Sequence, residues 1–166
     1  MSSSILFREI LPEDIQAIFD VRIATWHNDR GCEELTQLGI THESVRDLLK
    51  NSHRGWLCEI DSRIIGFAMG NKSKGEMWVI AVLKEFEGKG IGKRLLSLVE
   101  EWLFSEGWKE IWLTTDPDES TRAVGFYRHL GWKDWKIEPD EGRFMKKVVE
   151  QPYQLNDVEI RSPKPL

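Results

Sequence analysis

The stretch Val79–Glu106, VIAVLKEFEGKGIGKRLLSLVEEWLFSE, changes periodicity in its middle, and that change decides the fold. Its first residues belong to an apolar run, Met77 to Leu83, in which Trp78, Val79, Ile80 and Val82 suit a buried strand. Its last residues repeat at helical spacing. Ile91, Leu95, Leu98, Val99 and Trp102 predict a helix with one face in a core. Between them lies Glu87-Gly88-Lys89-Gly90-Ile91-Gly92, with glycines alternating through a turn. A strand, a glycine loop and a helix N-terminus in that order can cradle a phosphate or diphosphate. The first helical N–H groups have no internal partner and carry the positive end of the helix dipole. Glycine removes the Cβ atoms that would hold a ligand off the backbone. Lys89, Lys93 and Arg94 add charge that suits a bound anion better than it suits the helix. The plainer alternative is a tight βα turn and nothing more. A P-loop is excluded because no Ser or Thr follows Gly92-Lys93, and the Gly-x-Gly-x-Gly spacing is not the dinucleotide fingerprint.

The 166 residues fit one domain with a real core. A net charge of −5 argues against a general nucleic-acid binder. Cys32 and Cys58 have neither disulfide-framework nor zinc spacing, and read as reduced thiols of a cytoplasmic protein. The start MSSSILFREILPED lacks the character of a signal peptide, and no apolar run is long enough to span a membrane. The eight tryptophans are expected in the core or lining a cleft.

Working outward, Ile5 to Ile10 reads as a strand, and Leu11-Pro12-Glu13-Asp14 opens a helix carried on by Ile15, Ile18, Phe19, Arg22 and Ile23. Residues 27 to 40 read as a loop with a short helix near Glu33 to Leu38. Thr41 caps a second helix without a full capping box, since Ser44 stands where Glu or Gln would complete it. Trp56 to Ile60 and Arg63 to Met69 form a hairpin about Asp61-Ser62, and Gly70 to Gly75 turns into the strand at Met77. After the glycine-loop helix come a strand at Ile111 to Thr114, a turn and cap at Asp116-Pro117-Asp118, and a helix striped by Ala123, Val124, Phe126, Tyr127 and Leu130. Trp132 to Ile137 and Phe144 to Val149 are the last strands. Three strands run antiparallel before the glycine loop, and the strand–helix–strand order implies a parallel pair with a right-handed crossover. The domain is placed at residues 1–149, with an extended tail at 150–166.

The glycine loop and the later run Ser120, Ala123, Phe126-Tyr127 and Leu130-Gly131-Trp132 together resemble the GNAT superfamily of acetyl-CoA-dependent N-acetyltransferases. The family's loop reads Arg/Gln-x-x-Gly-x-Gly/Ala, and its later segment Asn-x-x-Ala-x-x-Phe-Tyr followed by Leu-Gly-Phe. Two positions depart. Glu87 stands for Arg or Gln, so it must turn away from a diphosphate or be neutralised by Lys89 or Lys93, and Ser120 stands for Asn.

The resemblance implies an α/β fold with a mixed, mostly antiparallel sheet, a splayed parallel strand pair and about four flanking helices. It implies direct transfer of acetyl from acetyl-CoA to a primary amine, with no metal, nucleic acid or membrane involved and with dimers a possibility. It assigns coenzyme binding to Ala81, Val82, Leu83, Glu87, Gly88, Lys89, Gly90, Ile91, Gly92, Lys93, Ser120, Ala123, Phe126 and Tyr127. A backbone N–H near Ala81 or Val82 is the expected oxyanion donor. Tyr127 is the expected general acid, its alternative being a core aromatic beside Phe126. Glu76 is the leading base, with Asp116 second, while His27 and His42 lie where they could touch substrate. Asp29, Glu33, Glu34, Glu138, Asp140 and Glu141 would make an acidic mouth for a cationic amine. The competing reading is a catalytically idle acyl-CoA sensor, and a nucleotide-binding domain ranks behind both.

Overall fold

A computed structural model describes residues 4–25 and 32–149. His27, Asp29, the first part of the 27–40 loop and the 150–166 tail, all named above, lie outside the described residues.

The strands are β1 (Ile5–Glu9), β2 (His53–Ile60), β3 (Arg63–Asn71), β4 (Glu76–Val82), β5 (Glu110–Thr115), β6 (Lys133–Glu138) and β7 (Gly142–Val148). The helices are α1 (Ile15–Thr25), α2 (Cys32–Gln37), α3 (His42–Asn51), α4 (Ile91–Ser105) and α5 (Arg122–His129). The strands form one sheet in the order β1-β2-β3-β4-β5-β7-β6. Every neighbouring pair is antiparallel except β4 and β5. Expected elements and observed ones agree to within a few residues at their ends.

The β2–β3 hairpin turns on Asp61 and Ser62, whose φ values of 50° and 70° are those of a two-residue turn that follows the strand twist. β3 is buried from Ile65 to Asn71. Gly66 and Gly70 present bare backbone to α4: an added Cβ would meet Leu95 at 3.4 Å from Gly66, and Val99 at 2.7 Å from Gly70. Those close approaches bring α4 down on the sheet and fix where its N-terminus lies. Leu95, Leu96, Val99 and Leu103 of α4 are fully buried, while Leu98 is only half-buried, so the buried stripe is rotated from the expected one. The C-terminal half of α4 is tied down at Glu100 from the residue before β6 and from β7. Glu100 accepts hydrogen bonds from Trp132 Nε1 at 2.9 Å and from Lys147 Nζ at 2.9 Å.

Three local expectations change. Thr41 and Ser44 do form a reciprocal box: Thr41 Oγ1 accepts from the Ser44 amide at 3.1 Å, and the Thr41 amide donates to Ser44 Oγ at 2.8 Å. A serine hydroxyl does there what a longer Glu or Gln would do. Asp116 does not cap α5. Its Oδ1 accepts from the Asp118 amide at 2.9 Å, and Asp118 in turn holds Ser120. The helix opens after Thr121, which makes no side-chain cap bond. No tryptophan among the described residues lines the main cleft; Trp102 and Trp132 are core, and Trp135 is exposed.

Candidate active site

The parallel pair β4–β5 is joined at one register point, Glu76 opposite Trp112, near the start of β4. Beyond it the strands part. Ile80, Ala81 and Val82 on one side and Thr114 and Thr115 on the other line a cleft of about 1370 Å³. The Leu83 amide donates to Ile65 O on β3 at 2.9 Å. Main-chain groups alternate between the two edges of a strand. Leu83 and Ala81, the latter opposite Phe67, are therefore committed to β3, and the peptide groups of Ile80 and Val82 point into the cleft. The expected oxyanion donor shifts accordingly from Ala81 or Val82 to Ile80 or Val82. Leu83 does not line the cleft, and Ile80, read from sequence only as a strand residue, does.

At the end of the cleft the chain passes through Gly88 and Gly90, with φ of 77° and 82°, into α4. These are left-handed conformations natural to glycine. A Cβ at either would meet nothing within 4 Å, so open space lies over the turn. Gly90 is the N-cap and supplies no side chain, and the first turn of α4 holds no acid. The α4 amides thus face the cleft with no side-chain cap and no acid within their own turn. Gly92 and Lys93 line the cleft beside them; Lys89 and Ile91 do not, and Ile91 is buried in the core.

From the other side come Thr121, Arg122, Ala123 and Phe126 of the α5 N-terminus. Ser120 is turned away, its Oγ donating to Asp118 Oδ1 at 2.7 Å. Its neighbour Thr121 instead brings a buried Oγ1 with no hydrogen-bond partner to the cleft wall. The partner of Glu87 is neither lysine expected from sequence. Glu87 Oε2 lies 2.7 Å from Nε of Arg122.

Tyr127 is 8% exposed and belongs to the core cluster, with its ring 5.4 Å from Phe126 and 6.1 Å from Trp132. It does not line the cleft. Burial pushes its phenol up to about 12, against an opposing pull from the Arg22 guanidinium. Arg22, at the end of α1, does line the cleft and carried no assigned role in the sequence. Glu76 sits four residues before Ile80, roughly 13 Å along the strand, and is not part of the cleft wall. Burial raises its carboxyl above the ordinary value, with Lys74 opposing. Asp116 lines the cleft.

Of the proposed acidic mouth, Asp140 and Glu141 line the cleft, while Glu138 pairs with Lys136 at 3.3 Å. Glu33 and Glu34 lie on α2, which reaches the cleft only through Leu38 just beyond it. His42 packs edge-on against Phe19, 4.9 Å away, and is not in the cleft wall. Among the described residues no group of His, Cys, Asp and Glu could hold a metal ion, and no helix is long and apolar enough to cross a membrane.

A sheet split at a parallel pair, with a glycine turn leading from the split into a helix, defines the class to which the chain is to be compared. The family model described as the acetyltransferase (GNAT) family matches residues 15–132, and the chain belongs to that family. Curated relatives include a mycothiol acetyltransferase of Actinosynnema mirum, 28% identical over 131 residues that are 76% of this chain and 42% of that protein. Another, from an Arthrobacter species, is 35% identical over 94 residues, 51% of this chain and 29% of that protein. The chain thus spans less than half the length of these relatives. Among solved structures, the PaiA N-acetyltransferase of Thermoplasma acidophilum in complex with coenzyme A is similar, with a TM-score of 0.75 and 20% identity. That match covers 88% of this chain and 99% of the other. The ribosomal-protein-S18-alanine N-acetyltransferase of Escherichia coli is similar with a TM-score of 0.68 at 14% identity, covering 89% of this chain and 96% of the other. At these identities the structural likeness speaks for the fold.

Proposed function

We propose that this protein transfers an acetyl group from acetyl-CoA to a primary amine by direct attack within a ternary complex. The observation that carries the reading is the opening of the β4–β5 split onto the glycine turn and the free amides of α4. The residues present fit the coenzyme: the turn leaves open space where a Cβ would stand, and the Thr121 hydroxyl at the cleft wall lacks a partner. Gly88, Gly90, Gly92 and Lys93 would hold the diphosphate, with Ala123 and Phe126 walling the other side. Bound there, acetyl-CoA supplies an acetyl thioester.

The chain's own groups then divide the work. The N–H of Ile80 or Val82, fixed by the sheet and aimed into the split, stabilises negative charge on a carbonyl oxygen without reorganising. For the Tyr127 hydroxyl, kept protonated by burial behind the cleft wall, to donate to a departing thiolate, its ring must first reach the cleft past Phe126. A phenol held near 12 even with the Arg22 guanidinium pulling it down works against about 4–5 kcal/mol toward a thiol near 8.5. Glu76, outside the cleft wall, would take the amine proton only through a chain of waters; Asp116, inside the cleft, is the second candidate. Asp140 and Glu141 at the opening suit a cationic acceptor.

The burial of Tyr127 and the turning away of Ser120 are the observations that favour an idle acyl-CoA sensor instead. One experiment separates the two. Incubate the protein with acetyl-CoA and a panel of small amines and peptides, and follow the acceptors by mass spectrometry. Acetylation above the protein-free rate supports the enzyme. Coenzyme binding by calorimetry with no transfer to any acceptor supports the sensor.

A further inference from the structure

We propose that Arg122 is a coenzyme-binding residue: moored by Glu87 across the mouth of the cleft, its guanidinium meets the diphosphate from the side opposite the α4 amides. This rests on the coenzyme reading above and adds a contact to it.

The ion pair joins two otherwise separate walls. Glu87 ends the turn that leads out of β4 and immediately precedes Gly88, while Arg122 is the first residue of α5. Both line the same cleft as Gly88, Gly90, Gly92 and Lys93. The two walls are close here, since a Cβ on Gly92 would stand 3.4 Å from the ring of Phe126, one helical turn beyond Arg122. The side chains of Arg122 and Glu87 are 72% and 33% exposed, and an ion pair so open to water contributes little to stability. What the pair does accomplish is placement. It holds a long, flexible cation at the one end of the cleft where backbone amides already gather for an anion.

The contact also leaves Arg122 capacity to bind. It is made through Nε, and among the described residues the terminal nitrogens of the guanidinium have no partner. A guanidinium can hold a carboxylate on one edge and present paired donors to phosphate oxygens on another. The Glu87 carboxylate, which by itself would repel a diphosphate, then acts through Arg122 as a positioning residue.

The test uses calorimetric titration of the whole chain with coenzyme A and with dephospho-coenzyme A, which lacks the 3′-phosphate. Arg122→Ala is expected to raise Kd about tenfold or more for both ligands, with Arg122→Lys recovering part of the loss. Because the pair is exposed, the Tm of Arg122→Ala should stay within about 2 °C of wild type. Glu87→Ala is expected to weaken binding about threefold or more. Glu87→Gln, which keeps an oxygen for the guanidinium without the charge, should restore it. Equal Kd in wild type and Arg122→Ala overturns the proposal while leaving the acetyltransferase reading in place. A loss confined to coenzyme A, absent with dephospho-coenzyme A, also overturns it, since the contact is then to the 3′-phosphate. Failure of wild type to bind either ligand overturns the underlying reading and this proposal with it.

Discussion

Gly92→Ala should make the protein more stable and, since the family's loop takes Gly or Ala at this position, leave coenzyme A binding near wild type, whereas Gly92→Asp should fold and bind coenzyme A poorly. Gly92 is the second residue of α4 and has no left-handed φ. Its substitution therefore carries none of the backbone strain expected at Gly88 and Gly90. The added methyl would rest 3.4 Å and 3.7 Å from Phe126 ring carbons and 3.8 Å from Val82, close to ordinary contact distances. Alanine in place of glycine in a helix gains up to about 0.5–1 kcal/mol, and the first-turn position argues for the lower figure. For a domain of this size that is a rise in Tm of about 1–2 °C. An aspartate at the same position would suit the helix dipole but put a carboxylate into the cleft beside the amides proposed to hold the diphosphate. Loss of one charge-assisted hydrogen bond costs about 1.5–3 kcal/mol, a rise in Kd of about tenfold to a hundredfold. Scanning calorimetry and titration with coenzyme A read the two effects separately. Gly125→Ala is the control: it lies in α5 with nothing within 4 Å of its Cβ, and should stabilise the fold with no change in Kd. A Gly92→Asp protein that is folded yet binds as well as wild type would refute the placement of the diphosphate against this helix end.

Tyr127→Phe should lower kcat about 10²–10⁴-fold with little change in coenzyme Kd. With its phenol pushed up to about 12, Tyr127 should set no alkaline fall in kcat below about pH 11; a fall centred under pH 10 that vanishes in Tyr127→Phe would contradict this. Burial raises Glu76, so its basic form appears only above the ordinary carboxylate range. The acid limb of kcat/KM should sit correspondingly high, disappear in Glu76→Gln and persist in Asp116→Asn; the reverse pattern assigns the base to Asp116. His53 is 8% exposed, meets Trp78 edge-on at 4.6 Å and is pushed down to about 4 by burial and Lys74. The unfolded chain takes up that proton near pH 6.5, so the neutral histidine supports the fold above that pH and support is lost as pH falls toward 4. Between pH 7.5 and 5 the loss is about 2 kcal/mol, read as the difference in urea unfolding between wild type and His53→Phe; parallel pH dependences would show that His53 is not the group responsible.

Local pattern made the elements legible. The switch from strand to helical period around Gly88–Gly92, the Asp61-Ser62 turn and the stripe on α5 each follow from near neighbours in the chain, and each appears in the structure. Partners chosen by tertiary proximity were not legible. Glu87 meets Arg122 rather than an adjacent lysine, and Ser120 turns to Asp118 while Thr121 faces the cleft. The alternation that separates Ala81 from Ile80 and Val82 depends on which edge β3 occupies, and sequence does not state that. Tyr127 shows the limit on both sides: helical spacing placed it on the apolar face, the resemblance gave it a catalytic task, and the structure has it in the core at 8% exposure. One cue was available, since Arg122 follows directly on the Ser120-Thr121 segment and is the first cation of its helix.

The split between β4 and β5 has an awkward corollary for mutagenesis. The donors it bares at Ile80 and Val82 are peptide groups, which every residue but one supplies equally. An alanine scan along this strand would return silence at the very atoms aimed into the gap. Proline, or an ester in place of the amide, is the change that would delete them.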